Sequence, residues 1–164
     1  MRAAFDAVEF RLALGGFVTG VTIVTTRDAG GVPAGVTASS FNSVSLDPPL
    51  VLWSLAKSAR CRAAFHASRS WAVHVLAAGQ QELSARFASR IDDKFAGLHT
   101  EEGLGGLPLL PGCVARLQCQ TAFEYDGGDH TILVGEVIAF DRSDATPLLF
   151  HGGSYAFVGG VTGQ

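Results

Sequence analysis

A run of small hydroxyl side chains that ends abruptly at Asp47-Pro48-Pro49 is the part of this chain best suited to chemistry. Thr37, Ser39, Ser40, Ser43 and Ser45, with Ser54 beyond the prolines, offer many hydrogen-bond donors and little bulk. Such a surface suits a flat, phosphorylated, polar-edged ligand that approaches the backbone closely. Pro48 and Pro49 cannot donate to a ladder and force extended geometry on Asp47, so a sharp corner is expected there. An ordinary Ser-rich edge strand with a turn has the same composition, and these residues alone leave both readings open.

A second cluster, Ser54-Leu55-Ala56-Lys57-Ser58-Ala59-Arg60, runs toward an expected helix start with Ser58 as N-cap. Free N–H groups, the positive end of the helix dipole, the Ser58 hydroxyl and the cations Lys57 and Arg60 would together hold a phosphate. A capped surface helix with solvated cations is the plainer alternative. The third constellation is Gly128-Asp129-His130-Thr131-Ile132, where a histidine follows a tight turn at the start of a strand. Its imidazole is either a hydrogen-bonded structural group or a rim residue that stacks on or bonds a ligand arriving from solvent. Tyr155, after His151-Gly152-Gly153-Ser154, stands as a similar candidate, with a core or interface aromatic as the alternative.

Other chemistries lack their residues. The five histidines form no H-x-H, H-x-x-E-H or H-E-x-x-H pattern, so no metal site is expected. There is no G-x-S-x-G elbow and no Walker loop, and Gly103-Leu104-Gly105-Gly106 lacks the spacing of a dinucleotide fingerprint. Cys61, Cys113 and Cys119 are odd in number and without C-x-x-C spacing, which points to buried thiols.

The elements that would position these residues read as many short strands with a few helices. A helix is expected from Asp6 to Leu14, with Phe5, Val8 and Leu12 on one stripe and Gly15-Gly16 ending it. Strands are expected over Val18 to Thr26 and Gly35 to Val44, joined by a turn at Arg27 to Gly31. Leu50 to Leu55 reads as a strand buried on both faces, Ala59 to Ala67 as a short helix, and Trp71 to Leu76 as a strand. A helix near Gln80 to Ser89 puts Leu83 and Phe87 on its buried side. Gly97 to Pro111, rich in glycine and proline, is expected to be a long surface loop governing access. Two further strands, over Arg116 to Glu124 and Thr131 to Phe140, flank a hairpin turn at Asp126-Gly127-Gly128-Asp129. With no βαβ rhythm, the fold class is mainly β: a closed, mostly antiparallel barrel decorated by peripheral helices.

Size and charge set the remaining bounds. At 164 residues and 48% hydrophobic, one domain over 1–164 is expected. A net charge of −3, with only 16% charged residues and no basic cluster, argues against nucleic acid or an anionic membrane as partner. Twenty glycines and so little charge leave limited polar surface, which suggests that a second copy covers part of it in a homodimer. No apolar run approaches a bilayer span and no secretory h-region opens the chain, so a cytoplasmic protein is expected.

With these clusters in place, the chain resembles the flavin reductase family, the small reductase components of two-component flavin-dependent monooxygenases. The resemblance covers nearly the whole chain. It is carried by Phe17 to Thr26, by Gly35 to Phe41 with Ser43 to Val51, by Asp93-Lys94-Phe95, and by Gly128-Asp129-His130-Thr131-Ile132 with Gly135-Glu136-Val137. It implies an FMN-binding split β-barrel, a homodimer, reduction of FMN or FAD by NADH or NADPH, and delivery of reduced flavin to a separate oxygenase. By the same resemblance the flavin lies along Val36, Thr37, Ala38, Ser39 and Ser40, and its phosphate reaches Ser54, Lys57, Ser58 and Arg60. Phe87 matches a position lining the flavin pocket, His130 one that helps seat the nicotinamide, and Tyr155 falls near a position contributing there.

Where family members often carry a basic residue before the last tyrosine segment, this chain has His151, which leaves NADH against NADPH open. Hydride transfer from nicotinamide C4 to flavin N5 asks the protein to stack two rings at about 3–3.5 Å. No acid–base dyad is needed, and Thr37 to Ser40 would stabilise charge developing on the flavin N1–C2=O edge. An FMN enzyme with tightly held flavin acting on an organic substrate, and a non-catalytic flavin-binding module, remain as alternatives.

Overall fold

A computed structural model describes residues 5–159. Helix α1 (Ala7–Gly15) leads into β1 (Thr19–Gly20) and β2 (Thr22–Arg27), followed by β3 (Pro33–Ala38), β4 (Asn42–Leu46) and β5 (Pro49–Ala56). Next come α2 (Arg62–Ser68), β6 (Ser70–Val75) and α3 (Gln81–Ala88). β7 (Glu101–Glu102) and β8 (Pro108–Leu109) flank a 3-10 turn at Leu104–Gly106. The long strands β9 (Ala115–Gly127) and β10 (His130–Arg142) precede the hairpin of β11 (Leu148–His151) and β12 (Ser154–Phe157).

Seven strands form one antiparallel sheet in the order β3-β2-β6-β9-β10-β5-β4, and β1, β11 and β12 form a separate three-stranded sheet. The β9–β10 hairpin turns at Gly128, whose φ of 81° suits a residue without a side chain, where the sequence placed it. β5 alternates rather than being buried on both faces: Val51, Trp53 and Leu55 point inward between half-buried neighbours. Inside the curl, Trp53 meets Phe65 at 5.0 Å and Trp71 at 6.0 Å between ring centroids, both edge to face, and all three are fully buried. Such contacts add about 0.5–1.5 kcal/mol each beyond the buried area. The Trp71 ring lies over Gly135, where a Cβ would overlap it, and the Trp71 indole N–H donates to the Thr121 hydroxyl at 2.9 Å.

Several expectations are corrected. The sheet does not close as a continuous ladder, because β3 and β4 are both edges. The Asp47-Pro48-Pro49 corner folds β4 back onto β5 as far as Leu52, and this occupies the β5 edge that a closing strand would need. The expected Gly35 to Val44 strand is accordingly two strands, broken at Ser39 to Phe41. α1 begins where expected, with the Asp6 carboxylate accepting the Val8 N–H at 2.6 Å. Its stripe is not buried, however: Phe5, Val8 and Leu12 are 71%, 64% and 65% exposed. Gly97 to Pro111 is no open loop, since Leu107, Leu109 and Leu110 are buried and the Thr25 hydroxyl donates to the Pro108 carbonyl at 2.7 Å. The 3-10 turn and β8 thus cover the outer face of β2 and β6. Among the described residues no helix is long and apolar enough to cross a membrane.

His74, on that covered face, is fully buried, with Nδ1 3.0 Å from the Ile23 carbonyl and no partner for Nε2 among the described residues. Burial pushes its pKa from 6.5 down to about 4, so the ring stays neutral and Nδ1–H donates to Ile23. Between those two values the unfolded chain binds a proton that the folded protein does not. Stability from this group is therefore intact above pH 6.5 and falls as the pH drops toward 4, by up to about 1.4 kcal/mol per pH unit. Urea unfolding between pH 4.5 and 7 should show this slope, and His74→Gln should flatten it.

Candidate functional site

The break in the ladder creates a groove. Beyond Leu52, β5 is paired only with β10, and β3 is paired only with β2. Residues 36–40 and 53–56 therefore face one another across a gap, each with backbone groups that no strand satisfies. One stitch spans it: the Ser54 N–H donates to the Ser40 hydroxyl at 2.9 Å, and that hydroxyl donates to the Ser54 carbonyl at 3.3 Å. The resulting groove has a volume of about 250 Å³. Pockets that engulf a drug-sized ligand run to about 300–1,000 Å³, so a flat ligand seated here keeps one face open.

Val36, Thr37, Ala38, Ser39, Ser40 and Ser54 all line this groove, together with Trp53, Leu55, Ala56, Ala59 and His130. Val36 and Ala38 also pack on the core around Trp53, and this gives the groove an apolar floor. The hydroxyls are not equivalent. Thr37 donates to the Ser84 carbonyl at 2.7 Å and Ser40 is used by the stitch, whereas the Ser39 and Ser54 hydroxyls have no protein partner among the described residues. The Trp53 indole N–H is likewise buried without a partner there. The site thus presents edge amides, two free hydroxyls and an apolar floor, a surface that fits a planar heteroaromatic ring with polar edges.

β3 is an edge strand, and α3 braces it from behind. A Cβ on Gly35 would lie 2.7 Å from Phe87 Cε1, so glycine is what allows the helix this close. Phe87 is fully buried behind β3, edge to face with Phe95 at 5.0 Å, rather than in the groove wall. Tyr155 is half-buried against the middle of α3, where its hydroxyl donates to the Ser84 hydroxyl at 2.9 Å.

At the far end the expected helix start is displaced. Ala59 N–H bonds to the Ala56 carbonyl and Arg62 N–H to that of Ala59, so turns occupy the segment and α2 begins at Arg62, with Cys61 as an N-cap that makes no side-chain bond. Ser58 is an exposed turn residue and not a cap. Lys57 pairs with Asp126 at 2.9 Å and Arg60 with Asp92 at 2.9 Å. The Lys57 hydrogen bond holds the Asp126 carboxyl below the usual range.

His130 opens β10 opposite Ala56, and its Nδ1 lies 2.7 Å from the Asp129 carboxylate. That hydrogen bond lowers the Asp129 pKa and orients the His130 ring. The Asp129 carbonyl in turn accepts the Lys57 N–H at 2.9 Å, which docks the turn on the end of β5. The orienting role of Asp129 and the floor role of Trp53 had no signal beyond their neighbours in sequence. Lys94 lay inside a recognised motif but without a role. Its ammonium donates to the Phe87 and Gly35 carbonyls at 2.6 and 3.2 Å.

A family model described as "Flavin reductase like domain" matches residues 14–159. The chain belongs to the flavin reductase family. It is 51% identical over 147 residues to the FMN reductase (NADH) SmoA of Agrobacterium fabrum, covering 90% of this chain and 83% of that protein. It is 45% identical over 153 residues to the reductase subunit HsaB of a flavin-dependent monooxygenase from Rhodococcus jostii, covering 93% of this chain and 78% of that one. The solved NADH:FAD oxidoreductase of Streptomyces globisporus, in complex with NAD and FAD fragments, superposes with a TM-score of 0.87 at 42% identity over 92% of each chain. The open seam between β3 and β5 is the split of this flavin reductase's barrel.

The stitch can be tested directly. Ser40→Ala removes both bonds to Ser54 and should cost about 1 kcal/mol. Hydrogen exchange should report it as faster exchange of the Ser54 amide, with the β9–β10 amides unchanged.

Proposed function

We propose that this protein is an NAD(P)H:flavin oxidoreductase that reduces free FMN or FAD and supplies the reduced flavin to a separate monooxygenase. The observation that carries this reading is the half-open groove between β3 and β5, floored by Val36, Ala38 and Trp53 with His130 at its rim. Flavin bound there supplies a hydride acceptor at N5 for the nicotinamide C4 hydride.

The chain's own residues hold and orient. The unpaired amides of β3 and the hydroxyls of Ser39 and Ser54 meet the polar ring edge, where oriented donors stabilise added negative charge. Ser58 and the cations Lys57 and Arg60 stand at the phosphate end. His130, locked by Asp129, seats the second nucleotide on the open face, and Tyr155 acts from behind through Ser84. No side chain has to move a proton in the hydride step. NADH is the favoured donor, in line with the names of the Agrobacterium and Streptomyces relatives.

The chain acts as one domain and as a cytoplasmic homodimer. Support for the dimer comes from Phe5, Val8, Leu12 and Phe17, which are more than half exposed on and beside α1 and which a second copy would cover. Light scattering at a mass of twice 17.1 kDa checks that expectation.

Mixing the protein with NADH and excess FMN or FAD without oxygen should bleach the flavin at 450 nm, by about a thousandfold or more over the uncatalysed rate. No acceleration with any pair of nucleotides would overturn the reading. Flavin that stays with the protein through gel filtration would mark a prosthetic group instead, and binding without NADH oxidation a storage module. His130→Ala should raise KM for NADH about tenfold, as expected for one lost hydrogen bond, with a smaller change for flavin.

A further inference from the structure

Lys57 and Lys94 are the only two lysines among the 164 residues; Lys57 follows Ala56 of the groove lining, and Lys94 bonds the carbonyl of Gly35, the residue before Val36. Their surroundings differ. Lys57 is held by the Asp126 carboxylate at 2.9 Å, and its neighbour Arg60 by Asp92 at the same distance. Lys94 has no carboxylate within ion-pair distance among the described residues. Two of its three N–H groups are used by the Phe87 and Gly35 carbonyls, and the third is open.

Its tie to Gly35 sets its position. Gly35 immediately precedes Val36, where the β3 wall begins, and Cys61 lies two residues beyond Ala59, where the opposite wall ends. The Lys94 ammonium is close enough to the Cys61 thiol and the Arg60 guanidinium to interact with both electrostatically. The groove is thus stitched at one end by Ser40 and Ser54, and Lys94 is tied to the residue that precedes its other end. Burial lowers the Lys94 pKa, which marks a cation paying part of its hydration without a counter-charge. Carbonyl dipoles at the C-terminus of α3 compensate it only in part.

We propose that the Lys94 ammonium is the principal cation for the phosphate of the flavin nucleotide, with Lys57 and Arg60 already neutralised by their own carboxylates. The assignment rests on the reading of the groove as the flavin site. The ligand class is a phosphate monoester or the first phosphate of a pyrophosphate, borne on a chain long enough to follow β3. The β3 wall from Val36 to Ala38 is extended and continues along the groove to Ser40.

Riboflavin, which lacks the phosphate, separates this role from the bracing of β3. In titrations followed by tryptophan fluorescence, the wild type should bind FMN about 10- to 100-fold more tightly than riboflavin. Lys94→Met should bring that ratio close to one while leaving riboflavin affinity in place, and Lys94→Arg should keep most of it. A ratio unchanged in Lys94→Met, or FMN and riboflavin weakened equally, overturns the proposal and leaves Lys94 a brace. A rise confined to KM for NADH also overturns it, since the cation would then serve the dinucleotide. Wild type that binds neither flavin fails the reading of the groove itself.

If Lys94→Met does not fold, wild-type protein labelled with ¹³C-lysine gives two Cε signals that single substitution of Lys57 tells apart. The Lys94 signal should move with FMN and stay with riboflavin. Movement of the Lys57 signal alone overturns the assignment.

Discussion

A sheet that curls almost to closure and stops one ladder short governs the rest of this structure. Unpaired edges invite association with other chains, and the common remedies are to pair, cover or charge them. Here the facing edges of β3 and β5 are kept apart at a fixed distance by a pair of hydrogen bonds between Ser40 and Ser54. Direct strand pairing would satisfy the same amides and abolish the groove. The serine stitch satisfies two of them and leaves the others for a ligand that can act as the missing strand's polar edge.

Holding the gap open requires both walls to be rigid, and they achieve this differently. β5 is interior to the sheet, paired to β10 along its length, with Trp53 anchored among Phe65 and Trp71. β3 has a neighbour on one side only, and its second support is α3. Phe87 fills the space left by Gly35, the Thr37 hydroxyl reaches the Ser84 carbonyl, and Lys94 ties Gly35 to the end of the helix. Side chains of the Asp-Lys-Phe segment and of α3 therefore act on the site without facing it. Tyr155 belongs to the same support through its bond to Ser84, which makes the small C-terminal hairpin part of the wall's backing.

Much of this was legible in the sequence. The hydroxyl run, the proline corner, the hairpin at Gly128 and the histidine after it depend on local residue types and fall where those types require. What each hydroxyl does was not legible, because its partner is distant: Ser40 meets Ser54 fourteen residues away and Thr37 meets Ser84 forty-seven away. Ser58 had the residue type of an N-cap, but successive turns from Ala56 to Arg62 moved the helix start past it. In Gly97 to Pro111 the glycines and prolines suggested a loop, and the leucines between them, Leu107, Leu109 and Leu110, decided its burial instead. The stripe on α1 is apolar, yet nothing among the described residues covers it.

Charge around the groove fits a ligand that must leave as well as bind. A reductase that hands on its product gains nothing from a phosphate site of several free cations, since tight binding of the oxidised and reduced forms alike would slow release. With a net charge of −3, the chain places Asp126 on Lys57 and Asp92 on Arg60, and it sets Asp129 against His130. These exposed pairs contribute little to stability. Their larger effect is on an anionic ligand, because Asp126 and Asp92 compete with a phosphate for the Lys57 and Arg60 cations. The Lys94 ammonium, held by the Phe87 and Gly35 carbonyls, has no such carboxylate among the described residues.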